Sequence, residues 1–214
     1  MSSPQTPDRI GDVSFWYADI GLPARRAALP GDVVADVCII GAGYTGLWTA
    51  WYLKQAEPSL RVVVVEKEFA GFGASGRNGG WLSGGFSWNH RRYAEATSED
   101  AVRRMVRAMN GTVDEVIAVA EAQGIDADIR RTDELLVAVN PAQVQRMRAE
   151  VEHRRHWGEE ARVHRIGAEE MAGRIRIPGA LGAMVVTNVA RIQPAKLVRG
   201  LAAACEQAGI AIYE

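Results

Sequence analysis

Two unbroken apolar runs, Val37-Cys38-Ile39-Ile40 and Val62-Val63-Val64-Val65, have strand length. A helix beginning near Tyr44 lies between them, so residues 35–66 read as a βαβ unit with two parallel strands and a right-handed crossover. Farther along, Val102, Met105, Val106, Met109, Val113 and Val116 recur at helical spacing. They predict a long amphipathic helix from Ser98 to about Gln123, with Ser98, Glu99 and Asp100 suited to its N-terminus and Gly124 ending it. Ile125–Arg131 and Glu134–Val139 read as a strand pair turning at Thr132-Asp133. Pro141 opens a helix to about Trp157, and a short helix follows near Ala168–Ala172. Leu181–Thr187 reads as a strand, Pro194 and Gly209 bracket a last helix, and Ile210–Tyr213 begins a strand. Residues 1–34, rich in Pro, Gly and Asp, read as an arm with little regular structure that Trp16 and Tyr17 pack onto the body. Residues 79–89 are rich in glycine and aromatics (Trp81, Phe86, Trp88).

The chemistry enters at the turns that follow the first two strands. The first reads Gly41-Ala42-Gly43-Tyr44-Thr45-Gly46. Gly41 permits a tight exit from the strand, Gly43 lets the backbone approach a pyrophosphate, and Gly46 lets the helix pack closely on the sheet. The helix then presents free N–H groups and its positive dipole end to phosphate. Glu66 stands twenty residues beyond Gly46, where a carboxylate accepts hydrogen bonds from an adenosine ribose and repels a 2′-phosphate. A glycine turn alone is a weak signal. Strand, turn, helix, second strand and acid together point to a dinucleotide, FAD or NAD rather than NADP.

A second glycine-rich turn, Gly71-Phe72-Gly73-Ala74-Ser75-Gly76-Arg77-Asn78-Gly79-Gly80, follows that acid. With Asp36–Leu47 it resembles the FAD-dependent oxidoreductases of the D-amino-acid oxidase superfamily, in the branch of gamma-glutamylputrescine oxidoreductase-type amine oxidases. Ser14-Phe15-Trp16-Tyr17, Leu29-Pro30-Gly31-Asp32 and Gln193–Ile210 are similar to that branch as well, so the likeness covers nearly the whole chain. The resemblance implies an α/β fold: a Rossmann-like FAD-binding domain and the beginning of an α+β substrate domain. It divides the chain into an arm (1–34), an FAD-binding portion (35–90), an insertion towards the substrate domain (91–190) and an incomplete return to the FAD-binding domain (191–214). It implies cofactor contacts from Gly41, Gly43, Tyr44, Thr45, Gly46, Glu66, Lys67, Ser75, Arg77, Asn78, Gly79 and Gly80. Within that set Ser75 brings a hydroxyl and Arg77 a positive charge to the pyrophosphate. Members of the family are considerably longer, so the resemblance makes this chain a fragment whose substrate domain and second flavin-binding segment lie beyond Glu214.

Composition narrows the classes without changing this reading. The 214 residues are 48% apolar and 24% charged, as expected of a soluble globular protein, and the net charge of −1 leaves no basic field for nucleic acid. Arginines between Arg91 and Arg176 alternate with acids and read as solvated helix faces. Cys38 and Cys205 make neither a disulfide framework nor a metal motif and read as reduced and at least partly buried. No secretory core and no run of about eighteen apolar residues is present, so a cytoplasmic protein without a membrane partner is expected.

The family's reaction is oxidation of a C–N bond in an amine or amino-acid-like substrate, with hydride transfer to flavin N5 and dioxygen as acceptor. No residue is assigned as its catalytic base. His90 is nearest the flavin loop but reads as a surface residue beside Arg91 and Arg92, and His153, His156 and His164 read as solvated. His153 and His156 share a helix face without a carboxylate-histidine pattern that completes a metal site. Trp81 reads equally as flavin neighbour or core residue. An NAD-dependent dehydrogenase, which leaves Ser75–Gly80 without a task, and a non-catalytic nucleotide-binding remnant stay open.

Overall fold

A computed structural model describes residues 13–85 and 89–214; Phe86 and Trp88 lie outside the described residues. Its elements are α1 (Phe15–Ile20), β1 (Val37–Ile40), α2 (Tyr44–Ala56), β2 (Val62–Val65), β3 (Trp81–Leu82), α3 (His90–Ala96) and α4 (Glu99–Ala122). There follow β4 (Arg130–Ala138), α5 (Pro141–His156), β5 (Val163–Gly167), α6 (Ala168–Arg174), β6 (Gly182–Arg191), α7 (Pro194–Gln207) and β7 (Ala211–Tyr213). They fall into two units, and the chain passes between them four times. One comprises residues up to Gly80 with 118–129 and 192–214; the other comprises 81–117 and 130–191.

The first unit is built on a parallel sheet in the order β1-β2-β7. Val37 pairs with Val62 and Ile40 with Val65, and Val63–Val65 pair with Ala211–Tyr213. The β-branched valines suit the pleat, and alternation along it sends Val62 and Val64 into one core. There they meet Leu47, Ala50 and Trp51 of α2 and Val198, Leu201, Ala202 and Cys205 of α7. On the opposite face β1 is open, with Ile40 89% exposed and Cys38 exposed, whereas Val63 of β2 is buried. Cys38 thus corrects the sequence reading, because β1 alternates and only Val37 and Ile39 point at the helices. Cys205 is buried, and that burial pushes its thiol up to about 12, so it stays protonated.

The arm also departs from expectation, because residues 15–20 form a helical turn. Tyr17, 1% exposed, packs edge-on against Phe69 at 5.4 Å. Farther on, the Glu214 carboxylate, wholly buried, accepts from the N–H groups of Arg26 and Ala70, each at 2.8 Å, and pairs with the Arg26 guanidinium at 2.7 Å. Three donors to one buried carboxylate satisfy the charge that burial would otherwise penalise, and they hold its pKa below the ordinary value.

The second unit is an antiparallel sheet in the order β3-β6-β4, with β5 also paired to β6. Val151 and Met147 of α5 pack on Val163, Met184, Val186 and Val189; Met171 of α6 packs on Ile166, Ala183 and Val185. Asn140 caps α5 by accepting from the Gln143 N–H, and Pro141 fits its first turn. At the expected turn, Thr132-Asp133, the chain instead runs on as the single strand β4, and the register shifts there because β6 carries an extra residue: Thr132 faces Val189 and Glu134 faces Val186, with Asn188 at φ +57° between them. Residues 125–129 form no strand: the Ile125 N–H closes the end of α4 onto the Ala120 carbonyl at 2.8 Å, and its side chain joins the first unit's core.

His90 is a further correction. It is 8% exposed, stacked on Trp157 at 5.3 Å, with its Nδ1 3.4 Å from His153 Nε2. Burial first, then His153, lowers its pKa; Glu159 and Glu150 oppose this and Arg154 reinforces it. A folded-state pKa below the unfolded value near 6.5 means the unfolded chain binds the proton more readily. The resulting stability is present above about pH 6.5 and is lost as pH falls through the folded pKa. Thermal melts from pH 8 down to pH 5 are therefore expected to show falling stability, and His90→Phe to flatten that dependence. An unchanged slope in the variant overturns the assignment.

Candidate functional site

The first glycine turn is shaped by how little space it leaves. Gly41 has φ +100°, a conformation side chains rarely adopt, and its N–H donates to the Val65 carbonyl at 2.8 Å. A Cβ on Gly46 would lie 2.0 Å from the Gly41 carbonyl oxygen and 3.2 Å from Ile39 Cγ2. Helix α2 can start against β1 only because Gly46 has no side chain. Gly43 stands at the N-cap, so the cap residue has no side chain of its own to take the first N–H groups of the helix, and a Cβ there would meet Ser75 Oγ at 3.0 Å. Apart from the Tyr44 N–H, which Ser75 takes, the helix end is bare backbone, the geometry that suits an anion.

The second turn folds over that end. The Gly71 N–H donates to the Ala42 carbonyl at 3.0 Å, and Ala74–Gly76 makes one 3-10 turn. Ser75 Oγ accepts the Tyr44 N–H at 2.8 Å, which leaves its own proton available to donate. Asn78 locks the turn, giving its Nδ2 to the Ser75 carbonyl at 3.0 Å and accepting the Gly80 N–H at 2.9 Å. The sequence reading missed what holds the turn from behind. Ser14 Oγ donates to the Gly76 carbonyl at 2.8 Å, Trp16 Nε1 to the Asn78 carbonyl at 2.7 Å, and the Tyr17 hydroxyl to the Gly71 carbonyl at 3.2 Å. No local signal marks these contacts; only the polar and aromatic cluster at Ser14–Tyr17 hints that the arm is fastened.

The remaining residues of the expected cofactor set divide. Glu66 ends β2 with its carboxylate on the glycine turn, accepting the Ala42 N–H at 2.9 Å and the Glu68 N–H at 3.0 Å. Lys67 and Thr45 are exposed. The Tyr44 hydroxyl donates to the Pro194 carbonyl at 2.9 Å, and burial raises its pKa. Arg77 folds back: its Nε donates to the Phe72 carbonyl at 2.6 Å and its guanidinium lies 4.3 Å from the Phe72 ring centre. Gly79 is exposed, whereas Gly80 is buried with φ +75°.

In the second unit, a cleft of about 500 Å³ lies on the antiparallel sheet, walled by Trp81, Thr132, Glu134, Leu136, Val189 and Arg191 among others. Trp81 is 76% exposed, so it is not a core residue. His156 lies 3.4 Å from Glu99. Among the described residues no group of three or more His, Cys, Asp or Glu is placed to hold a metal ion, and no helix is long and apolar enough to cross a membrane.

A family model described as FAD dependent oxidoreductase (DAO) matches residues 36–214. The chain is 29% identical over 201 residues to the gamma-glutamylputrescine oxidoreductase of Escherichia coli (strain K12), covering 94% of this chain and 46% of that protein. It is 31% identical to the probable oxidoreductase OrdL of Rhizobium meliloti (strain 1021), over 93% of this chain and 46% of that one. The chain therefore spans about half the length of the curated relatives it matches. Among solved structures it resembles glycine oxidase from Bacillus cereus ATCC 14579, with TM-score 0.64 at 21% identity over 85% of this chain and 46% of that one. It also resembles L-amino acid deaminase from Proteus vulgaris, with TM-score 0.68 at 21% identity over 89% and 42%. These likenesses show the α/β fold. The family match is to FAD-dependent enzymes and gives the NAD reading no support.

Two helical glycines separate close packing from helix propensity. Gly46→Ala forces a methyl against backbone and is expected to cost about 2–3 kcal/mol. Gly111→Ala on α4, where a Cβ meets nothing within 4 Å, is expected to stabilise by about 0.5–1 kcal/mol. Chemical denaturation of both variants checks the pair, and equal effects overturn the packing argument.

Proposed function

The chain belongs to the FAD-dependent oxidoreductase family, and from that premise we propose that it is the FAD-gripping part, with the start of a substrate part, of an enzyme that oxidises the C–N bond of an amine or amino acid. The observation that carries this reading is the meeting of Gly43, the Tyr44 N–H and Ser75 Oγ at the N-terminus of α2. Those groups fit a pyrophosphate: backbone N–H groups at a positive helix end, a hydroxyl with a proton to give, and no Cβ in the way. In this reading Gly41, Gly43, Tyr44, Thr45 and Gly46 line the pyrophosphate. Glu66, which accepts the Ala42 N–H, would receive the ribose hydroxyls. Ser75, Asn78, Gly79 and Gly80 shape the second strand of the grip, and Lys67 and Arg77 contribute positive charge at its rim.

Bound FAD supplies the hydride acceptor for the carbon beside nitrogen, and dioxygen is the proposed final acceptor. The protein's own task is to fix the cofactor through backbone and to keep the substrate amine desolvated so that it is neutral when it reacts. The first unit is the cofactor part in this reading and the second unit the beginning of the substrate part. The names of the glycine oxidase and L-amino acid deaminase neighbours agree with an amine or amino-acid substrate. A cytoplasmic location completes the proposal.

The test is the visible spectrum of the purified chain after incubation with FAD, with the retained cofactor identified after denaturation. A flavin spectrum with FAD released is expected, and Glu66→Gln is expected to weaken retention about tenfold, equivalent to about 1.4 kcal/mol. A folded chain that retains no FAD overturns the reading.

A further inference from the structure

The arm holds three carbonyls of the second glycine turn, and the three holds are not equivalent. A trans peptide directs its C=O and the N–H that follows to opposite sides, and no peptide bond among the described residues is cis. Tyr17 holds the Gly71 carbonyl and Ser14 the Gly76 carbonyl. The N–H groups beyond those two carbonyls are already used within the turn: Phe72 N–H donates to Phe69 O at 2.9 Å and Arg77 N–H to Ala74 O at 3.2 Å. The third hold differs. Trp16 Nε1 donates to the Asn78 carbonyl at 2.7 Å, and the Gly79 N–H on the other side of that peptide has no acceptor among the described residues. Gly79 is exposed, and a Cβ there would meet nothing within 4 Å.

The surroundings of this peptide are fixed while the peptide itself hangs on one bond. The Asn78 side chain is tied to the Ser75 carbonyl and the Gly80 N–H, and the Gly80 carbonyl accepts the Ile192 N–H at 2.9 Å. Trp16 is fixed as well. Its carbonyl accepts from the buried Gln193 side chain at 3.1 Å, and its ring lies so close to Gly80 that a Cβ there would stand 3.3 Å away. Glycine at position 79 offers little resistance to rotation of the Asn78–Gly79 peptide, so the indole N–H selects its orientation. Turned over, the same peptide would present an oxygen where it now presents a donor.

We propose that Trp16 is a positioning residue for the cofactor: by holding the Asn78 carbonyl it offers the Gly79 N–H to bound FAD as a further backbone donor. The proposal rests on the FAD reading above and adds to it a residue that acts through a peptide bond. Tyr17 serves as its internal contrast, because it holds a carbonyl of the same turn whose peptide has no N–H to spare.

FAD titration of the purified chain, with amide hydrogen exchange at Gly79 read by NMR, tests the assignment. Trp16→Phe is expected to weaken FAD about tenfold, the worth of about one hydrogen bond, and Tyr17→Phe about twofold or less. Trp16→benzothienylalanine, which keeps the ring outline and replaces the N–H by sulfur, is expected to reproduce the tenfold loss without leaving a void. In the wild-type chain FAD is expected to slow Gly79 exchange about tenfold or more, and in either Trp16 variant saturated with FAD that protection is expected to disappear. Equal weakening by Trp16→Phe and Tyr17→Phe means bracing of the turn only and overturns the proposal. So does a Gly79 amide that FAD leaves unprotected in the wild type, or protects equally in the Trp16 variants. In each of those cases FAD is still bound, so the FAD reading stands. A folded wild-type chain that binds no FAD overturns both.

Discussion

The contact on which the first unit depends is the one between Gly46 and the Gly41 carbonyl, where a single methyl would lie 2.0 Å from an oxygen. It fixes how closely α2 begins against β1, and therefore where the helix end points. The second glycine turn is registered on the same place, through the Gly71 N–H on Ala42 and the Tyr44 N–H on Ser75. Push the helix out by the width of a methyl and both hydrogen bonds lengthen together. The grip is therefore a property of packing before it is a property of any functional side chain.

A grip made of backbone must be stiffened from outside, because glycine-rich segments lose more conformational entropy on ordering than others. Ser14, Trp16 and Tyr17 do this from one side, each bonding a carbonyl of the turn. Glu214 does it from another: its buried carboxylate ties the N–H groups of Arg26 and Ala70 together, so the arm and the residue before Gly71 share one anchor. Segments about sixty residues apart, and others nearly two hundred apart, meet around a turn of ten.

That distance explains what the sequence discloses. The βαβ unit, α4, α5 and α7 were legible because their signals are local: an apolar run, a helical period, a proline at the first turn with Asn140 or Gln193 just before it. The glycine turns were legible because backbone conformations with positive φ and close approaches leave glycines at fixed spacing. What was not legible depends on partners far along the chain. The bracing by Ser14–Tyr17, the burial of His90 under Trp157 and the exposure of Cys38 on an open sheet face are all of this kind. Thr132-Asp133 looked like a turn because Thr-Asp is turn chemistry, and the ladder to β6 overrode it. β3 is only two residues long, and β5, Val163-His164-Arg165-Ile166-Gly167, carries no apolar run or alternation that marks a strand.

The two units divide the physics as well as the chain. In the first, the functional atoms are mostly backbone N–H groups, and the side chains that matter, such as Glu66 and Ser75, are already hydrogen-bonded to that backbone. In the proposed reading its specificity is one of shape, set by backbone N–H groups that suit a pyrophosphate. In the second unit, Arg130, Arg191 and Glu134 belong to the sheet's ladder through their backbones. Side chains free of structural duty can change without unfolding their scaffold, whereas Gly46 cannot. In the proposed reading, a grip constrained by sterics can stay fixed while the charged side chains on the second unit's sheet vary.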